Sequence, residues 1–155
     1  MQPSGDQARP LLIVYMGVPG SGKSTHARAN AVGTLLSADA IRNAGADKAE
    51  HMDWIRARTH ALLRSGHDVT VDACNVHDTA RRMLLAIARS AGASTRLVIV
   101  EATAQQVIAA QRGRAHPVQR KKLNLYMQLW PYARAHASNE GWDTVEIVDR
   151  RPIRA

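Results

Sequence analysis

One stretch constrains this chain more than any other: Gly17-Val18-Pro19-Gly20-Ser21-Gly22-Lys23-Ser24-Thr25, directly behind the apolar run Leu11-Leu12-Ile13-Val14-Tyr15-Met16. Gly17, Gly22, Lys23 and Ser24 meet the spacing G-x-x-x-x-G-K-[ST] of a phosphate-binding loop, or P-loop, which needs a strand before it and a helix after it. Glycines let the backbone curl until successive N–H groups face one point, and the following helix adds its positive dipole end. Such a loop holds the phosphates of ATP. Pro19, Gly20, Ser21 and Thr25 complete its wall, Lys23 reaches the β- and γ-phosphates, and the Ser24 hydroxyl serves Mg²⁺, a cation that takes oxygen ligands. The plainer alternative is a Gly/Ser-rich turn with no ligand.

The rest of the chain alternates strand and helix patterns. Leu11 to Met16 is apolar without alternation, as in a central parallel strand buried on both faces. A helix is expected from Gly22 to Asn30, a strand from Val32 to Ser37 and a short helix from Ala38 to Asn43. Lys48 to Ser65 places Met52, Ile55, Thr59, Leu62 and Leu63 on one helical face. Val69 to Asp72 is a strand, and Asp78 to Ala91 a helix with Met83, Leu84, Ile87 and Ala88 inward and Arg81, Arg82 and Arg89 outward. Arg96 to Val100 is a strand, Ala104 to Ala110 a helix, Val118 to His136 a long helix broken at Pro131, and Thr144 to Val148 the last strand. Together they call for an α/β fold, a mostly parallel five-stranded sheet with helices on both faces. The domain is expected over residues 11–149, between a polar N-terminal tail at 1–10 and a frayed basic end at 150–155.

With 155 residues, the chain suits one domain. The formal charge of +8 suits a polyanionic partner or simply a basic protein, and charge alone leaves both open. Cys74 is the sole cysteine, which excludes an intrachain disulfide and suits a reducing compartment such as the cytoplasm. No apolar run approaches membrane-span length, and no obligate protein partner is indicated.

Ligands of a doubly wound sheet gather at the carboxyl ends of its strands. Asp39 and Arg42 lie there, three residues apart and so on one helical face. The carboxylate could take the proton of an incoming hydroxyl while the arginine holds an anionic acceptor; equally, Asp39 could cap its helix and pair with Arg42. Asp72 closes the third strand, where an acid can hold a metal-bound water or an acceptor hydroxyl, and Asn75 follows. Between Glu101 and Glu140 there is no acid, while Arg112, Arg114, Arg120, Lys121, Lys122 and Arg134 fall in that interval. Interrupted by Gly113 and Pro117, this stretch suits a basic lid over the triphosphate, with Arg112 and Arg114 the candidates to meet the transferring phosphoryl group. The histidines form no metal signature. Trp54, Trp130 and Trp142 read as core residues rather than base-stacking platforms.

The P-loop, Ser37-Ala38-Asp39-Ala40-Ile41-Arg42, Val71-Asp72-Ala73-Cys74-Asn75, Arg112 and Glu140-Gly141-Trp142-Asp143 together resemble the phage polynucleotide kinase family of P-loop kinases, and more distantly the zeta-toxin group. The resemblance implies transfer of the ATP γ-phosphate to a 5′-hydroxyl of DNA or RNA. It implies Asp39 as general base, Arg42 as clamp on the acceptor phosphate, Arg112 as lid arginine, and Asp72 and Asn75 on the acceptor side or, for Asp72, on Mg²⁺ through water. The chain departs from that family at Ala40, where a second acid is usual, and at Cys74, where threonine is common. A kinase of a small-molecule, nucleotide-sugar or modified-base hydroxyl is the second expectation. A nucleotide-binding ATPase or switch module is the third, although Asp72 stands alone where ATPase motors carry consecutive acids.

Overall fold

In the computed structural model, residues 8–43 and 48–153 are described, with the side chains of 42, 43, 48 and 49 left aside. The chain runs β1 (Leu11–Met16), α1 (Lys23–Asn30), β2 (Thr34–Ser37), α2 (Ala38–Asn43), α3 (Lys48–Arg64), β3 (Val69–Asp72), α4 (Asp78–Ser90), β4 (Ser94–Glu101), α5 (Ala104–Arg112), α6 (Arg120–Ala137) and β5 (Thr144–Asp149). The five strands form one parallel sheet in the order β2-β3-β1-β4-β5.

β1 lies at the centre, and its side chains alternate between two cores. Leu12, Val14 and Met16 face one core, with Ile55 of α3, Leu84 and Leu85 of α4, and Leu123 and Tyr126 of α6. Ile13 and Tyr15 face the other, with Ala27 of α1 and Val98 and Val100 of β4. Leu12, Val14 and Met16 are fully buried, which is why β1 reads as an unbroken apolar run. The crossing point at β1 leaves the ends of β1, β2 and β3 around one crevice, with Ser37 in register beside Asp72.

Several elements differ from their sequence reading. β4 begins two residues early, at Ser94, whose N–H donates to the Pro10 carbonyl. α6 runs through Pro131 without a break. Pro131 stands on the exposed side, while Tyr126 before it and Ala133 and Ala137 after it anchor both halves to the core. The core thus holds the helix together where the missing N–H alone would favour a stop.

The inward face of α4 is Arg81, Leu84, Leu85 and Ala88; Met83 is exposed and Arg81 is 1% exposed. The apolar count chose Met83 because a buried arginine is rare unless its donors are satisfied, as these are. Trp54 is likewise not a core residue, since half of it is exposed on α3.

Candidate nucleotide and acceptor site

The loop between β1 and α1 takes its shape from its glycines. Gly20 has φ 89° and Gly22 φ 96°, a region that side chains disfavour. A Cβ on Gly20 would lie 2.7 Å from the Gln111 amide nitrogen and 2.9 Å from the Val107 carbonyl, so α5 packs against the bare backbone of the loop. Gln111 secures that packing by donating to the Pro19 carbonyl (3.0 Å) while its oxygen accepts from the Val118 N–H (3.1 Å). The Gly17 N–H is taken up by the Cys74 carbonyl (3.0 Å), which ties the mouth of β1 to that of β3. Ser21 is fully buried inside the turn.

Two cavities meet at this loop. One, of about 510 Å³, opens over Gly20, Gly22, Lys23, Ser24 and Thr25 and is also lined by Gly113 and Arg114. The other, of about 150 Å³, lies over the ends of β1 and β3 and is lined by Asp72, Asn75, His51, Lys122 and Tyr126 among others. Lys23 and Asp39 line both. The carboxylate on the first turn of α2 therefore stands at the junction of the two spaces, beside a lysine that is 5% exposed.

Asp39 is held there by Arg114, whose Nη2 donates to Oδ2 at 3.0 Å. Both partners are partly exposed, so the pair is a movable contact rather than a buried clamp. Arg112 stands at the C-terminal end of α5. α5 extends to Arg112, with Val107, Ala110 and Gln111 turned to the P-loop, so the next residue, 100° further round, faces solvent. Arg112 is exposed and lies outside the residues lining the P-loop cavity. The side chain of Arg42 lies outside the described residues.

Asp72 is 3% exposed; Ser37 Oγ donates to its Oδ2 at 3.4 Å, and Oδ1 has no partner among the described residues. Asn75 adopts φ 49° and donates from Nδ2 to the Tyr15 carbonyl (2.8 Å), and its buried Oδ1 has no partner among the described residues. A serine hydroxyl on the P-loop cavity and an unsatisfied buried carboxylate oxygen nearby fit the oxygen ligands and water shell of Mg²⁺. Ser24 would hold the cation directly and Asp72 through water.

The loop carrying Asn75 is fixed from behind by Arg81. Its Nη1 donates to the Asn75 and Val76 carbonyls (2.9 and 2.8 Å) and its Nε to Glu140 (2.7 Å). The segment Glu140 to Asp143 is accordingly structural. Trp142 is buried, and Asp143 accepts from the Thr95 N–H at 2.9 Å.

Residues 12–130 match the model of the AAA domain family. The chain belongs to that family. No curated protein matches it in sequence. Among solved structures, this AAA domain is similar to Kti12 of Chaetomium thermophilum, solved with ADP-AlF3, at 18% identity and TM-score 0.72 over 90% of this chain and 89% of that one. It is also similar to a chain of the Pnkp1/Rnl/Hen1 RNA repair complex, at 17% identity and TM-score 0.67 over 85% of this chain and 47% of that one, about half its length. A gluconokinase of Sinorhizobium meliloti 1021 shares 22% identity and TM-score 0.57 over 93% and 85% of the two chains. The fold is that of a P-loop kinase. Among the described residues no helix is long and apolar enough to cross a membrane.

The AAA domain also brings to the site a residue that sequence reasoning left in a frayed end. Arg150 lines the P-loop cavity, its Nη1 donates to the Ser21 carbonyl at 2.6 Å, and a Cβ on Gly22 would collide with it. Its backbone is pinned on both sides: its N–H donates to the Glu101 carbonyl (2.8 Å), and its own carbonyl accepts from Gln106 (2.8 Å). The next residue, Arg151, pairs with Glu101 (2.9 Å) and with Asp149, whose carboxyl its guanidinium holds down at about 2. The available signal was its place directly after the last strand, at the carboxyl edge of the sheet where ligands bind.

Proposed function

We propose that this P-loop kinase domain transfers the γ-phosphate of ATP to a 5′-hydroxyl of DNA or RNA. The observation that carries the reading is the position of Asp39, a carboxylate lining both the P-loop cavity and the smaller cavity beside it. A hydroxyl in the smaller cavity has in Asp39 a wall residue that the P-loop cavity shares. Asp39 accepts the hydroxyl proton as the oxygen bonds to the γ-phosphorus. The bond from that phosphorus to the β–γ bridging oxygen breaks, and ADP leaves.

Charge accumulating on the transferring group is spread over the P-loop N–H groups, Lys23 and Arg114. The acceptor hydroxyl takes the place of Arg114 on Asp39, and the guanidinium turns to the phosphoryl oxygens. Arg150 adds a further cation at the P-loop side. Bound Mg²⁺ supplies neutralisation of the phosphate oxygens. Asn75 faces the acceptor, its unsatisfied Oδ1 suited to a hydroxyl donor, and Asp72 serves the acceptor side or the water shell of Mg²⁺.

A small-molecule hydroxyl as acceptor is the second reading, favoured by the modest volume of that cavity, about 150 Å³. The deciding experiment is transfer of labelled γ-phosphate from ATP to a 5′-hydroxyl oligonucleotide, with a 5′-phosphorylated oligonucleotide as control. Label on the first alone supports the polynucleotide reading. Label on neither, with ATP binding intact, moves the acceptor to a small molecule.

A further inference from the structure

A further hollow, of about 320 Å³, lies at the β2 edge of the sheet, between α1, β2, α2 and α3. Leu35 and Ile41 form apolar walls, and Trp54 stands beside them. The Trp54 indole is 49% exposed, although Ile55, Thr59 and Leu63 on the same helix are buried. An indole so placed offers a flat apolar face with water on its other side.

The hollow shares a wall residue with each cavity of the site. Arg28, near the end of α1, lines both it and the P-loop cavity, and Asp72 lines both it and the acceptor cavity. Asp72 is thus a wall common to the hollow and the acceptor cavity, and the hollow adds apolar walls with a guanidinium at the rim. A lone sugar-sized acceptor has no use for such a surface. The pairing of an aromatic face with a cation is what single-stranded nucleic acids require, because every base has a π-face and every link a phosphate.

We propose that this hollow is a subsite for the second nucleotide of the acceptor strand, its base stacked on Trp54 against Leu35 and Ile41 and its phosphate facing Arg28. The proposal rests on the polynucleotide reading of the same site. Stacking carries no hydrogen-bond readout, so the subsite tolerates any base and selects instead for an unpaired second nucleotide.

The test is binding of a fluorescently labelled 5′-hydroxyl tetranucleotide in the presence of ADP, with a nucleoside 3′-phosphate as the one-nucleotide competitor. Trp54→Ala should weaken tetranucleotide binding roughly tenfold and barely change that of the nucleoside 3′-phosphate, while Trp54→Phe restores most of the loss. Unchanged ATP affinity and thermal unfolding verify that the variants are folded. Equal tetranucleotide affinity in Trp54→Ala and the parent overturns the subsite, as does a parent that binds four nucleotides no better than one. Phosphate transfer to oligonucleotides with Trp54-insensitive binding removes the subsite and leaves the kinase reading standing. Trp54-dependent binding without any transfer removes that reading and the acceptor-strand subsite with it, and leaves Trp54 as a nucleic-acid contact only.

Discussion

Asp39, a carboxylate at the meeting of two cavities, is paired with the partly exposed Arg114. Asp39→Asn should lower turnover by roughly 10²-fold or more while ATP affinity stays nearly constant, because the proton acceptor is lost and the P-loop is not. Parallel loss of ATP binding would refute the assignment. The two neighbouring arginines separate cleanly: Arg114→Ala should lower kcat by roughly 10²-fold or more, and Arg112→Ala should have little effect, as judged by steady-state kinetics. Tyr15 carries a different prediction. Burial, together with the charges of Glu146 and Asp72, pushes its phenol up to about 12 from the usual 10.0. A raised pKa means that the folded state favours the neutral phenol. Its contribution to stability is therefore full below pH 10 and is lost as the pH climbs from 10 toward 12. Urea titrations across that range should show a fall in stability that Tyr15→Phe lessens.

The loops around the site are held by elements far from it in sequence. Arg81 on α4 joins the β3–α4 loop to Glu140, and both ends of that ion pair are largely removed from water. Arg81→Ala strands Glu140 and two backbone carbonyls, a defect of about 3–5 kcal/mol that denaturant unfolding would measure. Arg81→Lys should recover only part of it, since one ammonium cannot reproduce the fork of donors. α5 is seated on the P-loop by Gln111 and by the absence of a side chain at Gly20. Gly20→Ala should weaken ATP binding more than it weakens the fold, because the added methyl pushes the helix from the loop. Calorimetric titration with ATP beside a thermal melt would separate the two effects.

For the whole molecule, a charge of +8 and a cation-lined site make salt the most direct probe of the acceptor. Binding of a single strand should weaken with a log–log slope of roughly 0.7 per phosphate contacted, while a neutral sugar acceptor should scarcely respond. The alternation of strands and helices, the central place of Leu11–Met16 and the P-loop were legible in the sequence, because apolar period and glycine spacing are local consequences of backbone geometry. Asp39 and Asp72 could be nominated too, since strand ends are where a parallel sheet gathers its ligands. Arg81, Arg112, Trp54 and Arg150 were not legible. Whether an arginine is buried, bare or laid across a glycine loop depends on partners 59 to 129 residues away, such as Glu140 for Arg81 and Ser21 for Arg150. Local pattern determined which elements exist and where the P-loop lies. Tertiary packing alone decided which cations line the cavity over that loop and which indole stays in water, because burial and charge pairing are set by the elements that meet and not by the residues that adjoin.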